Sequence, residues 1–428
     1  MGVAEDRFRG WTIAWVASSV LGVAYGVQFA FGVLLPDIEA DTGWSRTQVS
    51  LAYSLYVLIY SGLSFGSGTV TDRSGPRVVI ATGGVFLALG YLGTGLAREL
   101  WQLYAALGVV AAIGMSAAFV PCNATVVRWF VRHRGRALSI STAGTSVGGL
   151  VFPPLAGLLS ATVGWRGTYA VFGLAAGAWL LVASRVMVRS PEEVGLHPDG
   201  DPAPPPPPDR ADEPEVVVRA DLAVAQAVRT AVFWVIAAAF ACTWLVLFFP
   251  VVHLSPFAED LGLGRTVGST LVGAIGVGGL LGRSVSGGVS DRLGRHPTLA
   301  AVVALQAAAF VVFALVDTAT PLYAGALAFG VGYGGTTTLF PAVIGDHFGR
   351  THAGALVGLV FAGAGSMAAL GPAVAGYLYD STGSYRLAFV LSAAANVASL
   401  ACVAVLWSHP SASPSVNATA PVADLEAG

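Results

Sequence analysis

Arg283 is the residue whose placement most constrains the chemistry. It lies inside the apolar block 266–289, eight residues before Asp291, about 12 Å along a helix at about 1.5 Å per residue. A guanidinium at that depth in a bilayer costs at least about 2.5–3.5 kcal/mol, so something must compensate it. Asp37, Glu39, Glu259, Asp260 and Asp317 all fall at block ends, which leaves an anionic ligand as the obvious partner. Snorkelling to the interface or bonding to helix carbonyls is the structural alternative. His253 follows Phe248, Phe249 and Pro250; with a reference pKa near 6.5 it can donate to a carboxylate, carry a proton, or serve as a satisfied structural histidine. Asn123 follows Pro121, where an interrupted helix exposes carbonyls and lets an amide face a cavity, although helix–helix hydrogen bonding explains it equally. Tyr25, Gln28 and Tyr333 are candidate cavity lining. Tyr333 sits in the run Gly330 to Gly335, which is no phosphate loop, since no Lys follows it and no strand precedes it.

These residues need elements to hold them, and composition says which. The 428 residues are 55% hydrophobic and 11% charged, with a mean hydropathy of +0.72, so the solvent for most of the chain must be lipid. Blocks of about 20 apolar residues suit a bilayer core. Twelve are expected: 11–35, 48–70, 78–97, 101–126, 137–161 and 165–187, then 231–256, 266–289, 298–317, 321–345, 353–379 and 385–407. The fold class is therefore all-α membrane protein, with an N-terminal six-helix bundle (1–187), a Pro-rich solvated linker (188–230) containing Pro204 to Pro208, a C-terminal bundle (231–407) and a tail (408–428). A short surface helix over Leu222 to Arg229 is expected in the linker. The first block is long enough to remain a span instead of a cleaved signal. Cys122, Cys242 and Cys402 each fall inside a block, which offers neither a disulfide framework nor a metal motif.

All 22 basic residues are Arg. With both termini inside, sixteen Arg lie on the cytoplasmic side, and only Arg46, Arg98, Arg166, Arg265 and Arg386 lie on the other, with Arg283 left in a span. That asymmetry fixes orientation, and the cell membrane is the expected location. The halves also repeat. Gly68, Asp72, Arg73, Gly75 and Arg77 after the second block answer Gly287, Asp291, Arg292, Gly294 and Arg295 after the eighth. Ala143-Gly144, Pro154 and Ala156-Gly157 answer Ala362-Gly363, Pro372 and Ala375-Gly376 at nearly the same offset. Internal duplication of this kind belongs to carriers whose two bundles rock about a central site.

The doubled GxxxDRxG loop resembles the signature of the major facilitator superfamily, and the resemblance covers residues 8–407. It implies twelve-span secondary transport, with Asp72, Arg73, Arg77, Asp291, Arg292 and Arg295 latching one conformation through helix termini and charge pairs. A narrower resemblance, to the monocarboxylate transporter and oxalate:formate antiporter branch, rests on Trp129-Phe130-Val131-Arg132-His133-Arg134-Gly135-Arg136 followed by Ala143-Gly144-Thr145-Ser146-Val147-Gly148-Gly149. Gly43-Trp44-Ser45-Arg46 and Val252 to Gly262 add to it. Glycine at that spacing lets helix backbones approach closely. The chain departs from the animal carriers at Arg9, where they carry Asp or Glu, and at Gly279, where they carry Asp.

In that branch an eighth-span Arg binds the substrate carboxylate, and Arg283 matches it; an Asn and a His like Asn123 and His253 stand beside it. The resemblance thus implies a carrier of small monocarboxylates, coupled to H+ through His253 or the substrate itself, with no cofactor and no nucleic-acid partner. The oxalate-exchanging relatives place a Lys on the eleventh span, whereas here Leu356 to Tyr379 contains neither Lys nor Arg. An exporter of hydrophobic compounds is the alternative, to which a large aromatic cavity and a merely structural Arg283 would point. The spans offer no nucleophile, metal cluster or acid pair for an enzyme, and the chain has no sizeable soluble domain for a receptor.

Overall fold

The computed structural model describes residues 8–201, 224–348 and 353–408, and every regular element among them is helical. Ten helices are long and apolar enough to cross a bilayer, and a pair bent by 44°, Arg46–Ser64 with Gly66–Ser74, adds an eleventh. The longest, Arg134–Ser184, turns at Gly164, whose φ of 71° is a left-handed conformation natural to glycine. It therefore holds two spans, which makes twelve. We label them α1 (Gly10–Thr42), α2 (Arg46–Ser74), α3 (Pro76–Leu96), α4 (Leu100–Trp129), α5 (134–163), α6 (165–184), α7 (Ala231–Asp260), α8 (Arg265–Leu293), α9 (Arg295–Leu315), α10 (Ala319–Phe348), α11 (Ala353–Thr382) and α12 (Arg386–Ser408).

Helix ends follow local chemistry. Gly43 at φ 71° stops α1, and Ser45 opens α2 with a reciprocal capping box to Gln48. Because α1 continues through Pro36 to Thr42, seven residues beyond the expected end at 35, Asp37, Glu39 and Asp41 ride on a helical extension. Hydropathy falls there while the helix does not. Two spans are interrupted: α4 is π-helical over Tyr104–Ala111 and leaves helical geometry at Ala117, and α7 breaks after Leu245 and resumes at Phe248.

Small residues set the packing. A Cβ on Gly144 of α5 would collide with the Ser18 carbonyl of α1, and one on Gly148 with the Gly22 carbonyl, so α1 and α5 touch backbone to backbone. Glycines 278, 282, 330 and 334 weld α8 to α10 in the same way. The expected glycine run in α10 is thus a helix seam. Between halves, α2 lies on α11, α5 on α8 and α1 on α7. Advancing each helix number by six maps α2–α11 onto α8–α5, the two-fold relation that the repeated sequence requires.

The stretch after α6 differs from the solvated linker expected over 188–230. Its described part, 188–201, docks on the α4–α5 turn: the Trp129 indole donates to the Val188 carbonyl at 3.0 Å, and Arg132 pairs with Asp201. The Asp199 carboxylate accepts from the backbone N–H of Val131 at 2.9 Å and Arg132 at 2.7 Å. The α4–α5 turn leaves those N–H groups without helical partners, and Asp199 satisfies them. Of the expected helix over Leu222 to Arg229, the described residues form a single turn, Val224–Ala227. The Pro204 to Pro208 run and the tail beyond 408 lie outside the described residues.

Candidate functional site

Arg283 sits half-buried on α8 where α8 meets α5. Its guanidinium donates to the Ser146 hydroxyl of α5, in the opposite half, and stacks over the Tyr333 ring of α10 with 4.9 Å from its carbon to the ring centre. The α8–α10 glycine seam dictates the second contact, since a Cβ on Gly334 would press on the Arg283 backbone nitrogen. Among the described residues Arg283 has no carboxylate partner. One hydroxyl and one ring face satisfy part of a five-donor group, and the rest is available to an anion.

The other expected site residues distribute around this centre. Tyr25 is buried on α1, packs edge-on against Phe29 and Phe119, and lies within electrostatic reach of Arg283 and Tyr333. Gln28, one turn further, turns into the first half, donates to the Tyr53 hydroxyl at 3.1 Å and leaves its carbonyl oxygen without a partner. Asn123 donates to the Phe119 carbonyl at 3.1 Å and accepts from the Ser141 hydroxyl at 3.0 Å. Ser141 precedes Ser146 by five residues on α5, so Asn123 sits about 7.5 Å of helix rise from the Arg283 contact, toward the Arg-rich face.

His253 belongs to a different cluster. It is fully buried, with Nδ1 2.8 Å from the Tyr385 hydroxyl and Nε2 2.9 Å from the Pro372 carbonyl. Tyr385 in turn accepts from Arg46 at 3.1 Å. Arg46, on α2, is buried and pairs with Glu39 of α1 at 2.8 Å and Asp260 of α7 at 2.7 Å, over the Tyr379 ring at 3.9 Å. Arg265 of α8 pairs with Asp37 of α1, and Asp380 of α11 accepts from Thr47 of α2. The bonds of Arg46 to Asp260 and Tyr385, of Arg265 to Asp37 and of Thr47 to Asp380 tie the two halves together at the Arg-poor face.

The Arg-rich face differs. Asp72 pairs with Arg128 at 2.5 Å within the first half, and Arg295 with Asp291 at 3.0 Å and Asp346 at 3.4 Å within the second. No ion pair involves Arg73, Arg77 or Arg292, and none joins the halves at this face among the described residues. The ion pairs of the doubled loop thus lie within each half, and the end closed by ion pairs between the halves is the opposite one. The residues that do close it, Arg46, Arg265, Asp37, Glu39, Asp260 and Tyr385, were not among the expected site residues. Among these six, three carboxylates are set against two arginines, and their signal was that all five charges sit at Arg-poor block ends.

Comparison with known proteins matches these observations. The sequence fits the Major Facilitator Superfamily over residues 17–341 and 316–425. It is 30% identical over 400 residues to monocarboxylate transporter 11 of Homo sapiens, covering 90% of this chain and 80% of that protein. It is 26% identical over 390 residues to the oxalate:formate antiporter of Oxalobacter formigenes, covering 90% and 88%. Among solved structures, the nucleoside transporter NupG superimposes with a TM-score of 0.71 at 9% identity, covering 93% of this chain and 100% of that one. A bacterial homolog to the human lysosomal transporter Spinster does so with a TM-score of 0.63 at 16% identity, covering 94% and 95%. These two share the fold alone. With two six-helix halves closed at one face, the family matched along its length and a carrier relative at 30% identity, this chain belongs to the Major Facilitator Superfamily.

Proposed function

We propose that the protein is a secondary carrier of small monocarboxylates, H+-coupled, working by alternating access in the cell membrane with both termini and the Arg-rich face cytoplasmic. The observation that carries the reading is Arg283: a guanidinium at the junction of the halves, held by Ser146 and Tyr333 and without a carboxylate partner among the described residues. A carboxylate entering between α5 and α8 forms a charge-assisted, bidentate pair with it. Pairing neutralises the site and lets the halves close over it, whereas a lone cation resists occlusion. Two of the relatives whose names state a cargo, a monocarboxylate transporter and an oxalate:formate antiporter, handle organic anions, which supports this choice of substrate class over the export of hydrophobic compounds.

The site holds one cation. Arg46 and Arg265, the other arginines joining the halves, are both paired with carboxylates, and α11 supplies none between Leu356 and Tyr379. A dicarboxylate would leave its second charge unpaired in a low dielectric. The test is uptake of labelled lactate, formate and oxalate into proteoliposomes. Monoacid uptake well above oxalate uptake is expected. Arg283→Gln should lose monoacid transport by roughly 30- to several thousand-fold, the equivalent of about 2–5 kcal/mol for removing one partner of a buried pair. Arg283→Lys should be intermediate, because the planar fork is lost. Parental uptake by Arg283→Gln, or oxalate carried as fast as the monoacids, overturns the reading.

A further inference from the structure

A second cationic site lies away from the carrier path. At the Arg-rich end of the first half, Arg73 and Arg77 on the α2–α3 turn meet Arg185 and Arg189, which follow α6, around a cavity of about 400 Å³. Glu193 is the single carboxylate in its wall, so four positive charges face one negative. None of the four arginines forms an ion pair among the described residues. Four like charges converging unpaired on one cavity repel one another, and an anion relieves that repulsion.

The helix beneath the cavity points the same way. The first turn of α3 has no side-chain cap, carries no acid and begins Pro76-Arg77. A cation at a helix N-terminus opposes the helix dipole, and the first-turn N–H groups have no intrahelical acceptor. A phosphate at this position satisfies both. Below the cavity, the outward surfaces of α3 and α6 carry exposed Val78, Val85, Leu89, Leu181 and Val182, and the two helices meet closely at Gly84 and Gly177. An apolar surface thus runs from the mouth of the cavity into the depth of the bilayer.

We infer that this cavity binds the phosphodiester headgroup of an anionic glycerophospholipid from the leaflet at the Arg-rich face, with its acyl chains along α3 and α6. The four guanidinium groups and the α3 N-terminus hold the phosphate. The excess of cations over Glu193 selects an anionic headgroup over a zwitterionic one. The apolar surface distinguishes a lipid from a soluble phosphate.

The experiment measures the unfolding temperature of the purified full-length protein in detergent against dioctanoyl phosphatidylglycerol, phosphatidylcholine, phosphatidylethanolamine and inorganic phosphate. A ligand of the folded state raises it in proportion to occupancy. Phosphatidylglycerol should raise it and the zwitterionic lipids should not. In Arg77→Gln/Arg185→Gln, the lipid concentration for half the shift should rise roughly 30-fold, at about a factor of five per cation. The paired change Arg98→Gln/Arg386→Gln, at the other face, should leave it unaltered. Should the first double variant fold poorly, Glu193→Gln gives an independent reading: removing the one opposing carboxylate should lower the half-saturating concentration roughly fivefold. Equal stabilisation by phosphatidylcholine or phosphatidylethanolamine removes the anionic-lipid assignment. Inorganic phosphate acting as strongly at equal concentration replaces the lipid with a soluble anion. A Glu193→Gln variant with unchanged or weaker lipid response overturns the site.

Discussion

His253 and Arg283 read alike in the sequence, as polar residues in apolar spans, and the structure gives them different work. The Pro372 carbonyl can only accept, so Nε2 of His253 carries the proton; Nδ1 then accepts from the Tyr385 hydroxyl, whose oxygen accepts from Arg46. Protonating Nδ1 sets two hydrogens against each other and adds charge near Arg46. The charged groups around this cluster are Glu39 of α1, Arg46 of α2, Asp260 of α7 and Asp380 of α11, with Tyr385, the residue before α12, in direct contact. If the H+ coupling we propose runs through His253, it acts on the closed face and opens that face in a pH-dependent way. His253→Gln, which keeps a donor and an acceptor but cannot titrate, is expected to flatten the pH dependence of uptake; a parental profile would leave His253 structural. Arg283 was legible because a charge in a span is costly and therefore conspicuous. Ser146 was not, since a serine among small residues announces no partner, and Arg46 looked like a residue of a polar loop until α7 and α12 folded over it.

At the scale of elements, span positions were readable because lipid imposes their length, and the AGxxxG packing was readable because glycine spacing is itself geometry. Pro121 announced the interruption of α4, found at Ala117, and the gap at 162–164 announced the turn at Gly164; the π-helical stretch of α4 and the break in α7 depend on tertiary fit, which no local pattern carries. The docking of 188–201 was hidden for the same reason: its composition suits solvent, and only the unsatisfied N–H groups of the α4–α5 turn give it a place. Asp199 makes that docking sensitive to acid. Desolvation raises its pKa, but the N–H groups of Arg132, Val131 and His133, with the His133 ring, outweigh it and hold the carboxyl below its usual range. A depressed folded-state pKa contributes stability that is complete above the unfolded value, about 3.9, and is lost as pH falls through the folded value. Protease cleavage within 188–201 should therefore be slow and flat near neutrality and accelerate severalfold at acid pH. Asp199→Asn, with one acceptor oxygen and no charge, should be cleaved faster than the parent at neutral pH and lose the acid step; cleavage indifferent to both would place this segment free of the α4–α5 turn.

For the whole molecule, the repeated sequence gave the two-fold relation but not which face is shut, because both faces carry charge and only contacts between the halves decide. Those contacts centre on Arg46, which joins α1, α2, α7 and α12. Arg46→Gln leaves Glu39 and Asp260 facing each other unpaired, so the population should shift toward opening at the Arg-poor face. A cysteine at Ser269, buried beside Gly157 under this closure, should react with an impermeant thiol reagent at least tenfold faster from the Arg-poor side in Arg46→Gln than with Arg46 intact, in a background free of Cys122, Cys242 and Cys402. Equal rates would assign the closure to apolar packing. The α8–α10 seam bears on how such a carrier can be altered. Because glycine backbones weld those two helices, Arg283 and Tyr333 should move as one body, with Ser146 of α5 facing them from the other half. On the proposed reading, changes within the welded α8–α10 pair retune what is gripped, and changes at the α2–α11 seam, which carries none of the gripping residues, retune how often it is released.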